Sequence, residues 1–383
     1  MQIPFPESGD IFERTPDITY FNSANIGPRL QSVSRAGHEA IDRFSRPWEI
    51  RAEDWFSGPE LLRAEFAKFV EVDVGQIALI PSASYGVAIA ALNLPVDPGS
   101  NIVVVQEQYP SNIYAWRRKV ETSSATIRMA QRSATTPLSK AVLDCIDQAT
   151  SVVAIPHCHW TDGETIHLES VAVACRKHNA ALVIDASQSL GVRPLDFHAI
   201  RPDFVLAVGY KWLLGAYGLG YLYSDAKWCS EGMPIEESWL TRAGSEDFSK
   251  LVDYVDDYRP GARRFDFGEF PQFISVPMST AALQQLNAWG AATIVERLAA
   301  CTQEIRMAAE RNGLTILPRS RASQHMVGIP FSSQEQAIAA NKRMQAEGIV
   351  ASVRGQSIRI SPHMHTTNKD LSRLCELLNA LGP

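Results

Sequence analysis

The sequence predicts an α/β fold, with a mostly parallel sheet in a large domain and a small α+β domain at the C-terminus. The chain has 383 residues, which corresponds to about two domains at roughly 150 residues each. From about residue 60 to residue 223, short continuous apolar runs alternate with stretches of helical periodicity. Such runs are typical of strands buried on both faces, as in a parallel sheet that is covered by helices.

The alternating region supplies the elements of the predicted sheet. Strands are expected at 77–80, 102–105, 151–155, 181–184, 204–208 and 219–223. Helices are expected over 61–70, over 85–92, between 105 and 151, and over 169–178. Because helical crossovers separate most of these strands, neighbouring strands are expected to pair in parallel.

The last hundred residues predict a different arrangement, in which short strands are grouped with longer helices. Helices are expected over 280–289, 293–311, 334–346 and 369–381. Strands are expected at 314–317, 325–329, 349–353 and 358–361. We therefore expect a large domain over 17–285 and a small α+β domain over 286–383, with residues 1–16 packing near the small domain.

Charge and composition exclude several classes of protein. The 36 basic and 42 acidic residues give a net charge of −6, and no basic cluster is present, so a nucleic-acid partner is not expected. The longest apolar runs are far shorter than the ~18 residues of a membrane-spanning helix, so a membrane partner is not expected either. The start MQIPFPESGD has neither the basic region nor the apolar segment of a signal peptide.

The six cysteines are scattered without a CxxC pair, which is typical of reduced thiols and predicts a cytoplasmic protein. Two histidine clusters, His157-Cys158-His159 and His363-x-His365, offer metal-ligating atoms. No acidic or cysteine pair accompanies either cluster, so no metal site is expected.

Polar residues that are able to take part in catalysis or ligand binding follow the predicted strands, at the sheet edge where α/β proteins bind ligands. Asp185 ends the run ALVID, and Lys211 follows FVLAVGY. The segment SASYG (82–86) lies between a strand and a helix, where backbone N–H groups can bind an anion. A strand-end acid, a lysine 26 residues later and a phosphate-type helix start together indicate pyridoxal phosphate, which needs an amine and an acid facing its pyridine nitrogen.

Each of these features has a simpler interpretation when it is taken alone. A strand-end aspartate is often a helix cap, and a lysine before Trp-Leu-Leu is often a solvated helix residue. Gly215-x-x-Gly218-x-Gly220 would suit a nucleotide-binding protein, but these glycines precede a strand, the reverse of a dinucleotide fingerprint.

Four motifs resemble those of class V aminotransferase-fold enzymes, a group that includes cysteine desulfurases, selenocysteine lyases, isopenicillin N epimerase-like proteins and kynureninases. The core segment is VIDASQSLGVRPLDFHAIRPDFVLAVGYKWLLGAYGLGYLY, and the other three are YFNSANIGP, RRFDFGEFP and IRISPHMHTTNKDLSRL. They run in order from about residue 20 to residue 380. The resemblance implies pyridoxal phosphate as cofactor, fold type I with a seven-stranded sheet, and a homodimer with active sites at the interface.

The resemblance also implies roles around the cofactor ring. Lys211 would be the Schiff-base lysine and proton shuttle, and Asp185 would pair with the pyridinium nitrogen. Gln188 would bind the ring hydroxyl, and Tyr109 would stack on the ring. Trp160 stands where many relatives have an asparagine beside that hydroxyl.

At the phosphate, the resemblance assigns the backbone of Ala83, the hydroxyl of Ser84 and the phenol of Tyr210. At the substrate, it assigns Arg359 to the α-carboxylate, because a guanidinium fork positions a carboxylate better than a lysine does. Arg354 and Asn25 are further candidates for substrate binding.

Departures from the family bear on the reaction. Desulfurases carry a nucleophilic cysteine in a loop before the last strand, and no cysteine lies between Arg354 and Arg359. We therefore expect a transaminase or Cβ–S lyase acting on an amino acid. Desulfurase, epimerase and kynureninase-like reactions remain alternatives, as does a protein of this fold without catalysis. Glu269 replaces a threonine that reaches the partner's phosphate in relatives, so an ion pair with Arg263 or Arg264 is expected.

Overall fold

The structure is a computed structural model that describes residues 11–15 and 17–381. The expected packing of residues 1–16 near the small domain therefore falls mostly outside the described residues. The helices are α1 Gln31–Phe44, α2 Asp54–Val70, α3 Ala83–Asn93, α4 Tyr114–Ser123, α5 Leu138–Leu143, α6 Leu168–His178, α7 Phe197–Ile200, α8 Ala226–Glu231, α9 Ser275–Trp289, α10 Ala291–Arg311, α11 Gln334–Ala346 and α12 Asn368–Leu381. Among the described helices, none is long and apolar enough to cross a membrane.

The strands form one large sheet and two small ones. They are β1 Thr19–Tyr20, β2 Ile77–Ile80, β3 Asn101–Val105, β4 Thr126–Ala130, β5 Thr150–Pro156, β6 Ala181–Asp185, β7 Phe204–Val208, β8 Gly220–Ser224, β9 Val327–Pro330, β10 Ile349–Val350, β11 Ser352–Arg354 and β12 Ser357–Ile360. The large sheet has seven strands in the order β2-β8-β7-β6-β5-β3-β4. Only β8 runs against its neighbours, which confirms the mostly parallel seven-stranded sheet.

Alternate residues of the same strand enter different cores, which explains the continuous apolar runs in the sequence. Ile77 and Leu79 of β2 pack with α2 and α9 on one face, whereas Ala78 and Ile80 pack with α3 on the other. Each buried aliphatic side chain stabilises the fold by about 1.5–3 kcal/mol. The sheet is therefore covered by helices on both sides, as the sequence predicted.

The C-terminal part contains a three-stranded antiparallel sheet in the order β11-β12-β9, and its strand β10 pairs in parallel with β1 of the N-terminal segment. The strand expected at 314–317 is wrong, because these residues have no strand partner in the described structure. The strand expected at 349–353 is divided into β10 and β11, which belong to different sheets. This division turns the chain into the β11–β12 hairpin, which borders the candidate active site.

Candidate active site

The polar residues predicted from the sequence meet at the carboxyl edge of the large sheet. A cavity of about 240 Å³ lies there, beyond the ends of β2, β5, β6 and β7. A second cavity of about 290 Å³ adjoins it toward the C-terminal sheet. The first is lined by Ala83, Ser84, Tyr109, Trp160, Asp185, Gln188, Tyr210 and Lys211. The second adds Asn25, Arg354 and Arg359, so the structure brings every predicted site residue together.

Lys211 lies three residues beyond the end of β7 and is almost completely buried. Its Nζ atom is 5.3 Å from the centre of the Tyr109 ring and 5.8 Å from that of the Tyr210 ring. Burial lowers the pKa of Lys211 from 10.5 to about 8, although the nearby Asp185 carboxylate raises it. An amine with this pKa is partly neutral near pH 8, and only the neutral form is a nucleophile or base.

The N-terminal segment fixes the backbone of this lysine. The Gly27 N–H donates to the carbonyl oxygen of Tyr210 at 2.8 Å. A side chain at Gly27 would overlap the carbonyl oxygen of Lys211, so only glycine allows this close approach. The NIGP motif therefore acts through packing, and it carries Asn25 to the rim of the second cavity.

The lowered pKa of Lys211 predicts a distinctive pH profile for its reaction with a small acylating reagent. In protein prepared without pyridoxal phosphate, the labelling rate should rise through about pH 8, because the free amine loses its proton there rather than near 10.5. The Asp185→Asn variant should shift this inflection to lower pH, since the carboxylate stabilises the ammonium form. Labelling followed by peptide mass spectrometry measures both profiles. An inflection at 10.5 in the cofactor-free protein with the native sequence would rule out a buried amine of this kind.

Asp185 is the last residue of β6, and its carboxylate is buried beside the cavity. The Ser187 N–H donates to its Oδ1 at 3.0 Å, which fixes the orientation of the carboxylate. The Ser187 hydroxyl is itself buried, lines the cavity and has no hydrogen-bond partner among the described residues. A buried unpaired hydroxyl is costly unless a ligand satisfies it, so this site is shaped to receive a polar group.

The Gln188 amide is held between two elements. Its Nε2 donates to the Ala24 carbonyl at 3.0 Å, and its Oε1 accepts from the Trp212 indole at 2.9 Å. One N–H of the amide is left over by this arrangement, because an amide nitrogen has two hydrogens. The side chain is therefore positioned to donate one hydrogen bond into the cavity that it lines.

Two aromatic side chains form one wall of the site. The Trp160 indole donates to the Glu107 carbonyl at 2.7 Å, and its ring meets the Tyr109 ring edge-on at 5.7 Å. Because the indole hydrogen is already used, Trp160 acts as an apolar wall rather than as a replacement for an asparagine amide.

The opposite end of the first cavity is suited to an anion. Ser82 caps α3 by accepting a hydrogen bond from the Tyr85 N–H, and Ala83 and Ser84 open the helix. The exposed Ser84 hydroxyl lies 2.8 Å from that of Ser82. Burial raises the pKa of Tyr210 to about 12, so its phenol remains a hydrogen-bond donor at neutral pH. Hydroxyls and a helix N-terminus together form a typical phosphate site.

Arg359 of β12 lies between the two cavities and the C-terminal sheet, and it is almost fully buried. Its Nη1 donates to the Trp160 carbonyl at 2.6 Å, whereas its Nε and Nη2 have no partner among the described residues. A buried guanidinium with two unused donors is prepared for a carboxylate. Arg354 lies nearby, with its guanidinium 5.6 Å from the centre of the Trp160 ring.

Cys158 also lines the first cavity, but its thiol is completely buried. Burial raises its pKa to about 12, which keeps the thiol protonated and a poor nucleophile at neutral pH. The neighbouring His159 bonds Thr161 and the Gln106 carbonyl, and the residues that the structure describes include no group of three ligands suited to a metal ion.

The ion pair expected for Glu269 is wrong. Arg263 binds Glu60 of α2, and Arg264 donates to the carbonyl of Gly232. Glu269 is exposed and borders a separate apolar cavity. The physical reason is that α2 brings the carboxylate of Glu60 to Arg263, a long-range contact that spacing in the sequence does not show.

Sequence reasoning missed two residues of the site. Ser187 lies between the predicted Asp185 and Gln188, so its place after a strand end was a usable signal. Tyr217 lines both cavities, and its ring lies 4.5 Å from that of Tyr210. It lies within the glycine-rich stretch, where the spacing of the glycines concealed it.

Comparison with known proteins gives consistent results along most of the chain. The family model "Aminotransferase class-V" matches residues 51–374. The uncharacterized aminotransferase YcbU of Bacillus subtilis is 26% identical over 357 residues, covering 92% of this chain and 91% of that protein. Isopenicillin N epimerase of Streptomyces clavuligerus is 23% identical over 386 residues, covering 96% of this chain and 95% of that protein.

Solved structures confirm the fold type I architecture. The cystine C-S lyase C-DES, solved in complex with its reaction product cysteine persulfide, superposes with a TM-score of 0.86 at 20% identity. That match covers 96% of this chain and 99% of the C-DES chain. A cysteine desulfurase from Thermococcus onnurineus gives a TM-score of 0.84 at 17% identity, and the match covers 100% of this chain and 98% of the desulfurase chain.

Proposed function

This chain belongs to the aminotransferase class-V family, and from that premise we propose that it is a transaminase or Cβ–S lyase that acts on an amino acid. The family membership confirms the resemblance of its motifs. It makes the protein an enzyme of the transferase or lyase type, with pyridoxal phosphate as cofactor. When bound, this cofactor supplies an electron-accepting ring that stabilises negative charge at the substrate α-carbon.

The residues of the first cavity fit this cofactor. Asp185 offers a carboxylate for the pyridine nitrogen, and Gln188 offers an amide donor for the ring hydroxyl. The start of α3 offers its N–H groups and Ser84 to the phosphate. The unpaired Ser187 hydroxyl supports the same assignment, because it needs a polar partner that the described residues do not supply.

Lys211 moves the proton in the proposed reaction. In its neutral form, Nζ would accept the proton that leaves the α-carbon, and it would release that proton to the bound cofactor in a transamination or to the leaving sulfur atom in an elimination. The lowered pKa of this amine suits both directions of transfer near neutral pH. Arg359 holds the α-carboxylate with its two unused donors and thereby orients the α-carbon toward Lys211.

One observation supports a reaction without an enzyme thiol. The β11–β12 hairpin turns over Gly355 and Gln356, so no cysteine loop extends from it toward the cavities. The thiol that does line the first cavity, Cys158, has its pKa raised to about 12 by burial. A desulfurase needs an accessible thiolate, and this site offers a buried thiol instead.

Product analysis tests this proposal. The holoprotein, incubated with single amino acids and a 2-oxo acid acceptor, should form either the matching 2-oxo acid or an elimination product. Mass spectrometry after incubation with L-cysteine should find no stoichiometric added sulfur on any cysteine. The Cys158→Ala variant should keep most of the activity, because the thiol takes no part in the reaction.

The matched control is Cys301→Ala, since Cys301 is an equally buried thiol in the C-terminal core. The activity of this control shows how much is lost when any packed sulfur atom is removed from the core. A persulfide on one cysteine, lost together with activity when that cysteine is replaced, would restore the desulfurase alternative.

We also propose that the active enzyme is a homodimer. The apolar side chains of Phe44, Ile50, Trp55 and Phe273, of which Phe44 is exposed and the other three are half-buried, line a cavity beside the segment RRFDFGEFP, which resembles the interface element of the family. Trp48, which follows the cavity-lining residue Pro47 in the sequence, is 77% exposed in the single chain. Exposed apolar patches of this kind are typical of subunit interfaces.

Sedimentation of the active enzyme at micromolar concentration should therefore give about twice the chain mass of 42.3 kDa. A species of 42.3 kDa with full activity would contradict the dimer. We further propose a reducing compartment such as the cytoplasm, because all six cysteines are unpaired thiols.

A further inference from the structure

The β11–β12 hairpin presents two arginines on one face. Val353 and Ile358 pack into the C-terminal core, so the alternate residues Arg354 and Arg359 lie on the opposite face. Arg354 pairs with Ser357, two residues before Arg359, which makes the two arginines diagonal neighbours. Diagonal neighbours in an antiparallel pair are about 7–8 Å apart. Both side chains therefore reach the second cavity, which both residues line.

The two guanidinium groups face this cavity without an acid. Among the described residues, Arg359 donates to the Trp160 carbonyl and Arg354 donates to the carbonyl of Val353. In the described part of the chain, neither arginine forms an ion pair, and the Nε atoms of both are buried without a partner. Burial and the charge of Arg354 hold the pKa of Arg359 below its ordinary value. Two like charges at this spacing are costly until an anion enters between or beside them.

The cofactor phosphate does not account for Arg354. The phosphate-binding residues Ala83 and Ser84 line the first cavity, whereas Arg354 lines only the second. The α-carboxylate of the substrate uses one guanidinium, and Arg359 has the buried position and the two free donors for it. The Trp160 ring orients Arg354 through a cation–π contact but does not neutralise its charge.

We propose that the substrate of this enzyme is an amino acid with a second carboxylate, which Arg354 binds while Arg359 binds the α-carboxylate. This inference rests on the proposed function and specifies its substrate class. Tyr109, Tyr217 and Trp160 line the same cavity and supply apolar contact for the carbon chain between the two acids. The separation of the two guanidinium groups therefore selects substrates by the distance between their two carboxylates.

Binding of simple acids to the holoprotein tests this inference. The probes are succinate, glutarate and adipate, each compared by calorimetry with the monocarboxylate of the same length: butyrate, valerate and hexanoate. At least one dicarboxylate should bind about tenfold more tightly than its monocarboxylate, as expected for one added charge-assisted contact. The Arg354→Gln variant should lose this preference and keep its affinity for the monocarboxylates within about twofold.

Three further variants separate the role of Arg354 from that of Arg359. Arg354→Lys keeps the charge and should keep part of the preference, whereas Arg359→Gln should weaken the binding of both series. Arg118→Gln removes the same charge from an arginine whose side chain is 83% exposed, so it should keep the full preference. It controls for a general effect of net charge.

Equal affinities for the two series, no measurable binding of either, or an unchanged preference in Arg354→Gln would overturn the inference. If the enzyme turns over neutral amino acids and shows no preference for dicarboxylates, this inference fails while the proposed function stands. If the preference depends on Arg354 but turnover survives loss of Lys211, the proposed function fails instead.

Discussion

Replacing Lys211 with alanine is expected to lower kcat by about four powers of ten, because the variant loses both the amine that bonds the cofactor and the base that moves the α-proton. Lys211 is the amine that the structure buries in the first cavity, beside Asp185 and between two tyrosine rings. The cofactor should still bind through the α3 N-terminus and Asp185, so phosphate analysis of the purified variant should find it. Steady-state turnover measures the loss.

Two controls accompany this variant. Lys140→Ala removes an exposed lysine that pairs with Asp144, and it should leave turnover unchanged. The circular dichroism spectrum of Lys211→Ala should match that of the native protein, which separates lost chemistry from lost folding. Undiminished turnover of a folded Lys211→Ala protein would refute the assignment of the catalytic residue.

The Asp185→Asn variant is expected to lose about two to three powers of ten in kcat. Asparagine keeps the shape of the side chain and the oxygen that accepts from the Ser187 N–H, but it removes the negative charge. The pyridine nitrogen of the cofactor would then lose the partner that holds its proton, and the ring would accept electrons less well. Turnover and the visible absorbance of the bound cofactor measure the change.

The matched comparison is Asp185→Glu, which keeps the charge and lengthens the side chain by one methylene. It should retain more activity than Asp185→Asn if charge is the decisive property. Native-like turnover of Asp185→Asn would show that this carboxylate has no electrostatic role.

Burial on both faces is why much of the sheet could be predicted from the sequence. The strands β2, β3, β5, β6, β7 and β8 lie in the interior, so nearly every residue is apolar and each run stands out. The strand β4 lies at the edge of the sheet, where Thr126 and Met129 are exposed, and the apolar pattern did not predict it. The strand β2 is the other edge strand, but all four of its residues are buried, so it is the partial exposure of β4 that weakens the apolar signal there.

The site residues at the carboxyl ends of strands were predictable from the sequence. Asp185 is the last residue of β6 and Lys211 lies three residues beyond β7, and parallel neighbouring strands bring residues at their carboxyl ends to one edge of the sheet. The pairing of Glu60 with Arg263 was not predictable, because it depends on how α2 packs rather than on spacing. The shared face of Arg354 and Arg359 depends on a two-residue turn, which the structure defines.

Borohydride reduction of the holoprotein, followed by peptide mass spectrometry, tests most directly whether Lys211 is the residue that bonds pyridoxal phosphate. Reduction fixes the cofactor to the amine that holds it. We expect one phosphopyridoxyl group per chain, carried by the peptide that contains Lys211. A modification on another lysine, or no modification in a protein that is catalytically active, would contradict it.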